Sequence, residues 1–541
     1  MRFLLPGGLL TALLLPLTAC AGAPEPPGTP PPASAAAAAD PWWGHVTALA
    51  DDSMRGRQTG SPEHRKAADY VAAAFARAGL RPGGSEGFLQ PVRFFRRRLL
   101  EDRSSLALVR DGRAEPLAFG SEATINLRGS GTGSVSAPMV FVGYGLKTPE
   151  PGLDDLAGVD LRGKVAVVLS GIAPKGMAGP ALAAARSAGG RAMSEGGIVG
   201  IVSIPSPRSD LPWDRFAASR LDAQMRLADE DAGHAGSGFV SASVHPARAE
   251  RLFARAPHSF ADLLALADSG APLPGFALPV HLQATVTVEE DPALSHNVVG
   301  VISGSDPALR DEYVVLTAHL DHLGVSEPVN GDSIFNGAMD NASGVATLIE
   351  TAGLVSRWGS APRRSVAFVA VTAEEHGLLG SDAFAERPTL GGRIVADLNT
   401  DMYLPINPLR KLLVNGLEES DLADDVRRAA GRMGVEVITD PEPERNAFVR
   451  SDQFSFIRRG IPALSLKVGF ALGTPEHERV LQWRRERYHG VEDEVTQPVD
   501  RQAAAAFNRL YAQLVWEVAN RATRPAWYPT SPFNPQAERT D

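Results

Sequence analysis

From residue 296 onward the chain repeats one pattern: a short apolar run, a polar loop and a helical stretch. The runs read HNVVGVIS, YVVLTAH, SVAFVAVT, IVADLNTD and IPALSLKV. They are near-continuous rather than alternating, which suits strands covered on both faces. Helical segments separate several of them, as NASGVATLIETAGLVSRWG does at 341–359. Few folds accept such a chain. The pattern predicts an α/β domain with a mostly parallel central sheet flanked by helices. In sheets of that kind ligands gather beyond the carboxyl ends of the strands.

Acids and histidines concentrate at those ends. In VAFVAVTAEEHGLLGS, residues 366–381, the apolar run stops and Glu374 and Glu375 follow side by side. Acidic residues are favoured in the first turn of a helix, so this pair has a purely structural explanation when taken alone. TAHLDHLG puts His319 and Asp321 directly after a strand, and GAMDNASG puts Asp340 in a glycine-flanked turn before a helix. LNTDMYLP places Asp401 after another strand, and YHGVEDEV places His489 in a polar loop before the last long helix. Each residue separately fits a cap, a turn or a surface position. Together they form a set of oxygen and imidazole donors along one predicted edge, which points to bound metal.

The ordered segments AHLDHLG, NGAMDNASGV, TAEEHGLLGS, NTDM and YHGVEDEV resemble the M28 family of zinc aminopeptidases, as does RSDQFSFIRRGIPAL at 450–464. The resemblance covers roughly 42–128 and 290–522 and implies a zinc exopeptidase fold with two Zn²⁺ per chain. It assigns His319 and Asp401 to one zinc, Glu375 and His489 to the other, and Asp340 to both. Glu374 is left as the general base, and Asp321 orients His319. The chemistry asks for this mixture of residue types. Zinc accepts imidazole nitrogen and carboxylate oxygen, and two ions about 3.5–4 Å apart need a bridging carboxylate. A base within reach must take a proton from water and pass it to the leaving amine. An acid close to a ligand histidine fixes its tautomer. Two positions depart from the family pattern: Met339 stands where many relatives have a second acid, and Gln453 where a histidine is common. His322, His376 and His477 read as structural or surface residues.

Between these parts, "FVGYGL…DLAGVDLRGKVAVVL…GIVGIVSI" resembles the protease-associated domain, a β-rich insert, over about 130–288. The chain opens with MRFLLPGGLLTALLLPLTAC, in which Arg2, an apolar stretch and small residues precede Cys20, the only cysteine. That layout is an export signal whose end resembles the lipobox of bacterial lipoproteins, with Cys20 as the lipidated residue. A lone cysteine excludes internal disulfides and thiolate metal sites. A net charge of −10 without extended basic blocks argues against nucleic acid as the main partner.

The expected organisation is therefore a signal peptide at 1–20, a Pro/Ala-rich tether at 21–41 and the first part of the peptidase at 42–129. The insert follows at 130–288, the catalytic domain at 289–522 and a polar tail at 523–541. The expected activity is removal of N-terminal residues from peptides in the cell envelope, with the protein lipid-anchored and facing the periplasm. A carboxypeptidase or glutaminyl cyclase on the same fold stays open, as does a binding lipoprotein without catalysis. Oligomeric state is not encoded in these features.

Overall fold

The computed structural model describes residues 1, 40–148, 152–207, 213–229 and 238–535. The expected signal peptide, Cys20 and nearly all of the tether lie outside the described residues, as do residues 536–541 of the polar tail.

Ten strands among the described residues build the main sheet. Its centre is parallel, in the order Ala463–Val468, Arg393–Asn399, Glu312–His319, Ser365–Val371. All residues of Glu312–His319 and Ser365–Val371 are buried, as unbroken apolar runs require. The flanks run antiparallel: Val288–Ile302 beside Ser365–Val371, then Leu89–Leu99, then Gln224–Leu227. On the other side Lys411–Asn415 lies antiparallel to Ala463–Val468. The mostly parallel arrangement expected from sequence therefore holds at the centre; antiparallel pairs join the flanking strands to it, and Lys411–Asn415 pairs parallel with Glu436–Ile438 at one outer edge.

Helices Pro62–Arg77, Ser343–Ser356 and Arg501–Asn520 cover this sheet, the second of them within the helical stretch expected at 341–359. Ser61 accepts the amide of His64 at the start of the first, and Pro62 occupies the position where a missing N–H costs nothing. Phe75, Leu348, Phe368, Leu398, Phe507 and Leu514 meet in one core beneath them.

A second, eight-stranded sheet has its own core around Leu108, Phe141, Val167, Val202 and Phe253. Its strands begin earlier than residue 130, where the insert is expected to start. Ser105–Arg110, Arg113–Pro116 and Ala123–Ile125 all pair within it, so this body runs from about Ser105 to Val286. Its helix Gly179–Glu195 packs against the 443–449 segment of the main body. Arg97, nearly fully buried in Leu89–Leu99, donates to the carbonyls of Leu127 (2.7 Å) and Ser130 (3.0 Å). Arg97 also pairs with Glu290 at 3.2 Å, so the 127–130 loop of the second body is tied to the main sheet.

Candidate metal centre

Every predicted donor lies at one edge of the parallel strands. His319 ends Glu312–His319, and Asp401 follows Arg393–Asn399 by two residues. Glu374 and Glu375 occupy the turn between Ser365–Val371 and helix Leu379–Glu386, where Ala373 takes φ 57° and Gly377 φ 101°. Asp340 sits in the turn before Ser343–Ser356, and the Asp340–Asn341 peptide is cis. His489 follows helix Pro475–Glu486 with φ 53°.

Asp340 is the centre of the arrangement. Its Oδ1 lies 3.2 Å from His319 Nε2, which is itself 3.4 Å from Asp401 Oδ1. Its Oδ2 lies 3.2 Å from His489 Nε2, which is 3.4 Å from Glu375 Oε2. One carboxylate thus faces two separate donor pairs. The carboxylate of Asp493 accepts the amides of Met339 and Asp340 at 2.9 Å each, which ties the loop carrying His489 to the turn carrying Asp340.

Asp321 departs from its expected role. His319 Nδ1 donates to the Asp321 main-chain carbonyl at 3.0 Å, which leaves Nε2 free to act as a donor atom. The Asp321 carboxylate accepts instead from Thr59 Oγ1 (3.0 Å) and from the amides of Glu374 (3.1 Å) and Glu375 (3.4 Å). It shapes the glutamate turn and reaches the histidine only through its backbone.

His322, read from sequence as structural, belongs to the centre. Its Nδ1 lies 2.8 Å from Glu375 Oε1 and 4.0 Å from Asp340 Oδ2. The repeated His in HLDH was the available signal. The other two histidines stand apart: His376 is buried without entering the donor groups, and His477 stacks on Phe470 beside Glu442. The two departures from the family pattern also lie away from the cluster. The Met339 side chain fills the main core, while Gln453 is buried between the Phe448 carbonyl and Asn399.

The residue with the widest structural reach in the centre gave no signal in sequence. Arg57 is fully buried and donates to four carbonyls: Leu320 (2.8 Å), Leu49 (2.6 Å), Asn336 (2.7 Å) and Gly337 (3.0 Å). Two of these flank the histidine turn and the Asp340 turn, so one guanidinium sets the spacing of both. Gly56 beside it has φ 64°, and a Cβ there would come within 2.3 Å of the Phe335 carbonyl.

Burial opposes ionisation throughout the cluster, yet the charges persist in pairs. Burial lowers the His319 pKa, but the Glu374 charge and the contacts with Asp340 and Asp401 outweigh it and hold the ring well above its ordinary value. His489 is likewise pushed up to about 9, with Glu375 and Asp340 overcoming burial. Asp340, Glu375 and Asp401 all lie below the ordinary carboxylate range, because neighbouring imidazoles outweigh their desolvation. Glu374 is the exception: burial, reinforced by Glu375 and Asp401, raises it well above its ordinary value.

These donors fit divalent metal. Asp340 Oδ2 is buried without a hydrogen bond, and carboxylate oxygens with imidazole nitrogens are the ligands zinc accepts. A cluster that matches its carboxylates with protons on histidine exchanges those protons for a cation. The centre opens on a cavity of about 560 Å³, whose wall also carries Arg128, Lys467 and Tyr488. Tyr488 packs on His489 with ring centroids 4.0 Å apart. Arg128 comes from the second body and donates to the Glu375 carbonyl.

Comparison with known proteins agrees with this geometry. Residues 297–515 match the profile of Peptidase family M28. An aminopeptidase of Mus musculus, NAALADL1, is 35% identical over 142 residues, covering 24% of this chain and 17% of its own length. A probable glutamate carboxypeptidase of Zea mays, VP8, is 29% identical over 364 residues, covering 62% of this chain and 48% of its own. The chain thus spans less than half the length of either relative. The solved aminopeptidase from Aneurinibacillus sp. strain AM-1 superposes with a TM-score of 0.52 at 19% identity, over 90% of this chain and 95% of its own. That likeness establishes the fold.

Proposed function

Residues 297–515 form a peptidase family M28 domain, and from that premise we propose that the chain is a dinuclear zinc aminopeptidase. The observation that carries the two-metal reading is Asp340, whose two oxygens face His319 with Asp401 on one side and His489 with Glu375 on the other. Those five residues would hold the metals. Bound zinc supplies Lewis acidity and lowers the pKa of water towards about 7.

The remaining groups carry the proton and charge handling. Glu374 projects from the same turn as Glu375 but lies outside the two donor pairs, and its raised pKa suits a group that takes a proton and returns it. Asp321 keeps Glu374 and Glu375 in place by accepting both amides. Tyr488, held above its ordinary pKa by burial, stays a neutral O–H on the cavity wall and suits charge developing on a carbonyl oxygen.

The likeness to the mouse aminopeptidase favours attack at the N-terminal end. The likeness to the maize carboxypeptidase keeps the opposite end open. Mass spectrometry of a defined peptide mixture, incubated with the protein and added zinc, separates them. We expect ladders shortened from the N-terminus. C-terminal ladders would make the chain a carboxypeptidase, loss of ammonia from N-terminal glutamine a cyclase, and an unchanged mixture a binding protein.

A further inference from the structure

Lys467 is the penultimate residue of Ala463–Val468 and lines the cavity next to the metal-binding carboxylates. Most cations on this wall are engaged elsewhere. Arg128 donates to the Glu375 carbonyl and to Gln224, Arg458 to Asp382, and Arg484 to Glu442. Among the described residues the Lys467 ammonium has no hydrogen bond and no ion pair within 4 Å. Asp440, an acid on the same wall outside the metal cluster, accepts the Glu442 amide on Oδ1 at 2.9 Å and makes no ion pair with Lys467 within 4 Å.

Burial, with the neighbouring Arg484 and Arg445 charges, lowers the Lys467 pKa from the ordinary lysine value against the opposing charges of Asp401 and Asp340, and Asp440 on the same wall also feels the ammonium. Asp401 and Asp340 belong to the proposed metal set. Once they hold divalent ions their charge is spent on the metal, and the lysine is left facing the substrate space. A cation in an enclosed wall without a hydrogen-bonded anion costs desolvation energy that an arriving anion offsets. The surroundings define that anion's carrier. Leu413, Val468, Val480 and Trp483 are buried residues on the same wall, fit to cover a short methylene stem. On the aminopeptidase reading, the side chain that reaches this wall is that of the substrate's first residue.

We propose that Lys467 binds the side-chain carboxylate of the substrate's first residue, so that the enzyme removes N-terminal glutamate or aspartate in preference to neutral residues. This rests on the aminopeptidase reading above and specifies its substrate class.

The test uses the zinc-loaded full chain and peptides X-Ala-Ala-Phe-amide with X as Glu, Gln or Leu. The C-terminal amide removes the other carboxylate a peptide could offer. A charge-assisted hydrogen bond in an enclosed site makes kcat/KM for Glu at least about tenfold that for Gln. In Lys467→Met the ratio falls to about one, and in Lys467→Glu peptides beginning with Lys overtake those beginning with Glu. A ratio near one in the parent chain, or an undiminished ratio in Lys467→Met, overturns the proposal. The parent-chain comparison does not depend on either variant folding.

A second readout needs no turnover: calorimetric binding of free glutamate and free glutamine to the zinc-loaded chain. Glutamate bound about tenfold more tightly, with no peptide cleaved, would sustain the role of Lys467 and remove the peptidase reading. Equal binding removes the role of Lys467 whatever the turnover. Cleavage of N-acetylated, C-terminally free peptides in a Lys467-dependent manner would assign the lysine to the terminal carboxylate and overturn the proposal.

Discussion

Replacing Arg57 by lysine keeps the charge and removes the fork. The guanidinium serves four main-chain carbonyls at 2.6–3.0 Å, approached from three of its sides. An ammonium group is a compact point donor and cannot span that set. At least two carbonyls are then left buried without a partner, at about 1–3 kcal/mol each, so Arg57→Lys should destabilise the main body by about 2–6 kcal/mol. Against a typical total of about 5–15 kcal/mol, that is a large fraction of the stability. The charge itself is maintained: burial lowers the Arg57 pKa to about 10, with Asp493 and Asp321 foremost in opposing it, so the group is cationic at neutral pH. The carbonyls of Leu320 and Gly337 flank the turns that present His319 and Asp340, and loss of such outer support weakens metal binding by about 10–100-fold. Two assays report separately. Urea unfolding followed by the fluorescence of Trp42, which donates to the Ser343 carbonyl in this body, gives the stability. Competition against a zinc chelator gives the affinity. A variant within about 0.5 kcal/mol of the parent and equal in zinc affinity would refute the reasoning, because four strong bonds would then contribute nothing.

The donor assignments make further predictions. Glu374→Gln should keep its zinc by elemental analysis and lose about 10²–10⁴-fold in kcat, whereas Glu375→Ala should lose one equivalent of metal; full zinc in Glu375→Ala would sink that assignment. His322→Phe removes the 2.8 Å contact to Glu375 Oε1 and should weaken the Glu375–His489 side selectively, by about 10–100-fold in zinc affinity. Equal loss at both sites would point to general unfolding. His64 provides a pH prediction away from the metal. It is buried with Nδ1 3.2 Å from Ser295 Oγ, and burial, with the charges of His296 and Arg57, holds its pKa at about 3. Between that value and the ordinary one near 6.5, the unfolded chain takes a proton that the folded chain refuses. Stability therefore falls as pH drops below about 6.5, by about 1.4 kcal/mol per pH unit from this group. Denaturation curves at pH 6 and 5 should show a shallower loss in His64→Gln, and parallel slopes would count against it.

How far the sequence discloses these features depends on their range along the chain. His319, Glu374, Glu375 and Asp401 are legible because each closes or follows an apolar run, and parallel strands bring their ends to one edge. Arg57 is illegible for the opposite reason. DSMRGRQTG shows no periodicity, and three of its four carbonyl partners lie more than 260 residues away. Local pattern carries no information about such partners. The role of Asp321 was misplaced because spacing puts a residue beside a histidine without saying whether its side chain or its carbonyl faces the ring. The start of the second body was placed too late for a different cause. The Gly/Ser stretch near 130 is a loop inside that body, while the true crossing from Leu99 to Ser105 has only a short 101–103 turn and no change of composition.

That crossing leaves the main body's own strand pairing intact. Leu89–Leu99 and Val288–Ile302 pair antiparallel up to Leu99 opposite Val288, and the Leu100 amide donates to the Thr287 carbonyl at 2.9 Å. Thr287 Oγ1 adds a bond to the Arg103 carbonyl at 2.9 Å. With residues 101–286 cut out, what remains is a plain β-hairpin whose two ends already touch. Hairpin tips are where a foreign segment can enter without disturbing the scaffold. The second body is thus inserted at the tip of one hairpin of the main body. It nevertheless reaches back into the main body, through strand Gln224–Leu227 on the sheet edge and Arg128 on the Glu375 carbonyl, so a segment entering at a surface tip shares in shaping the buried centre.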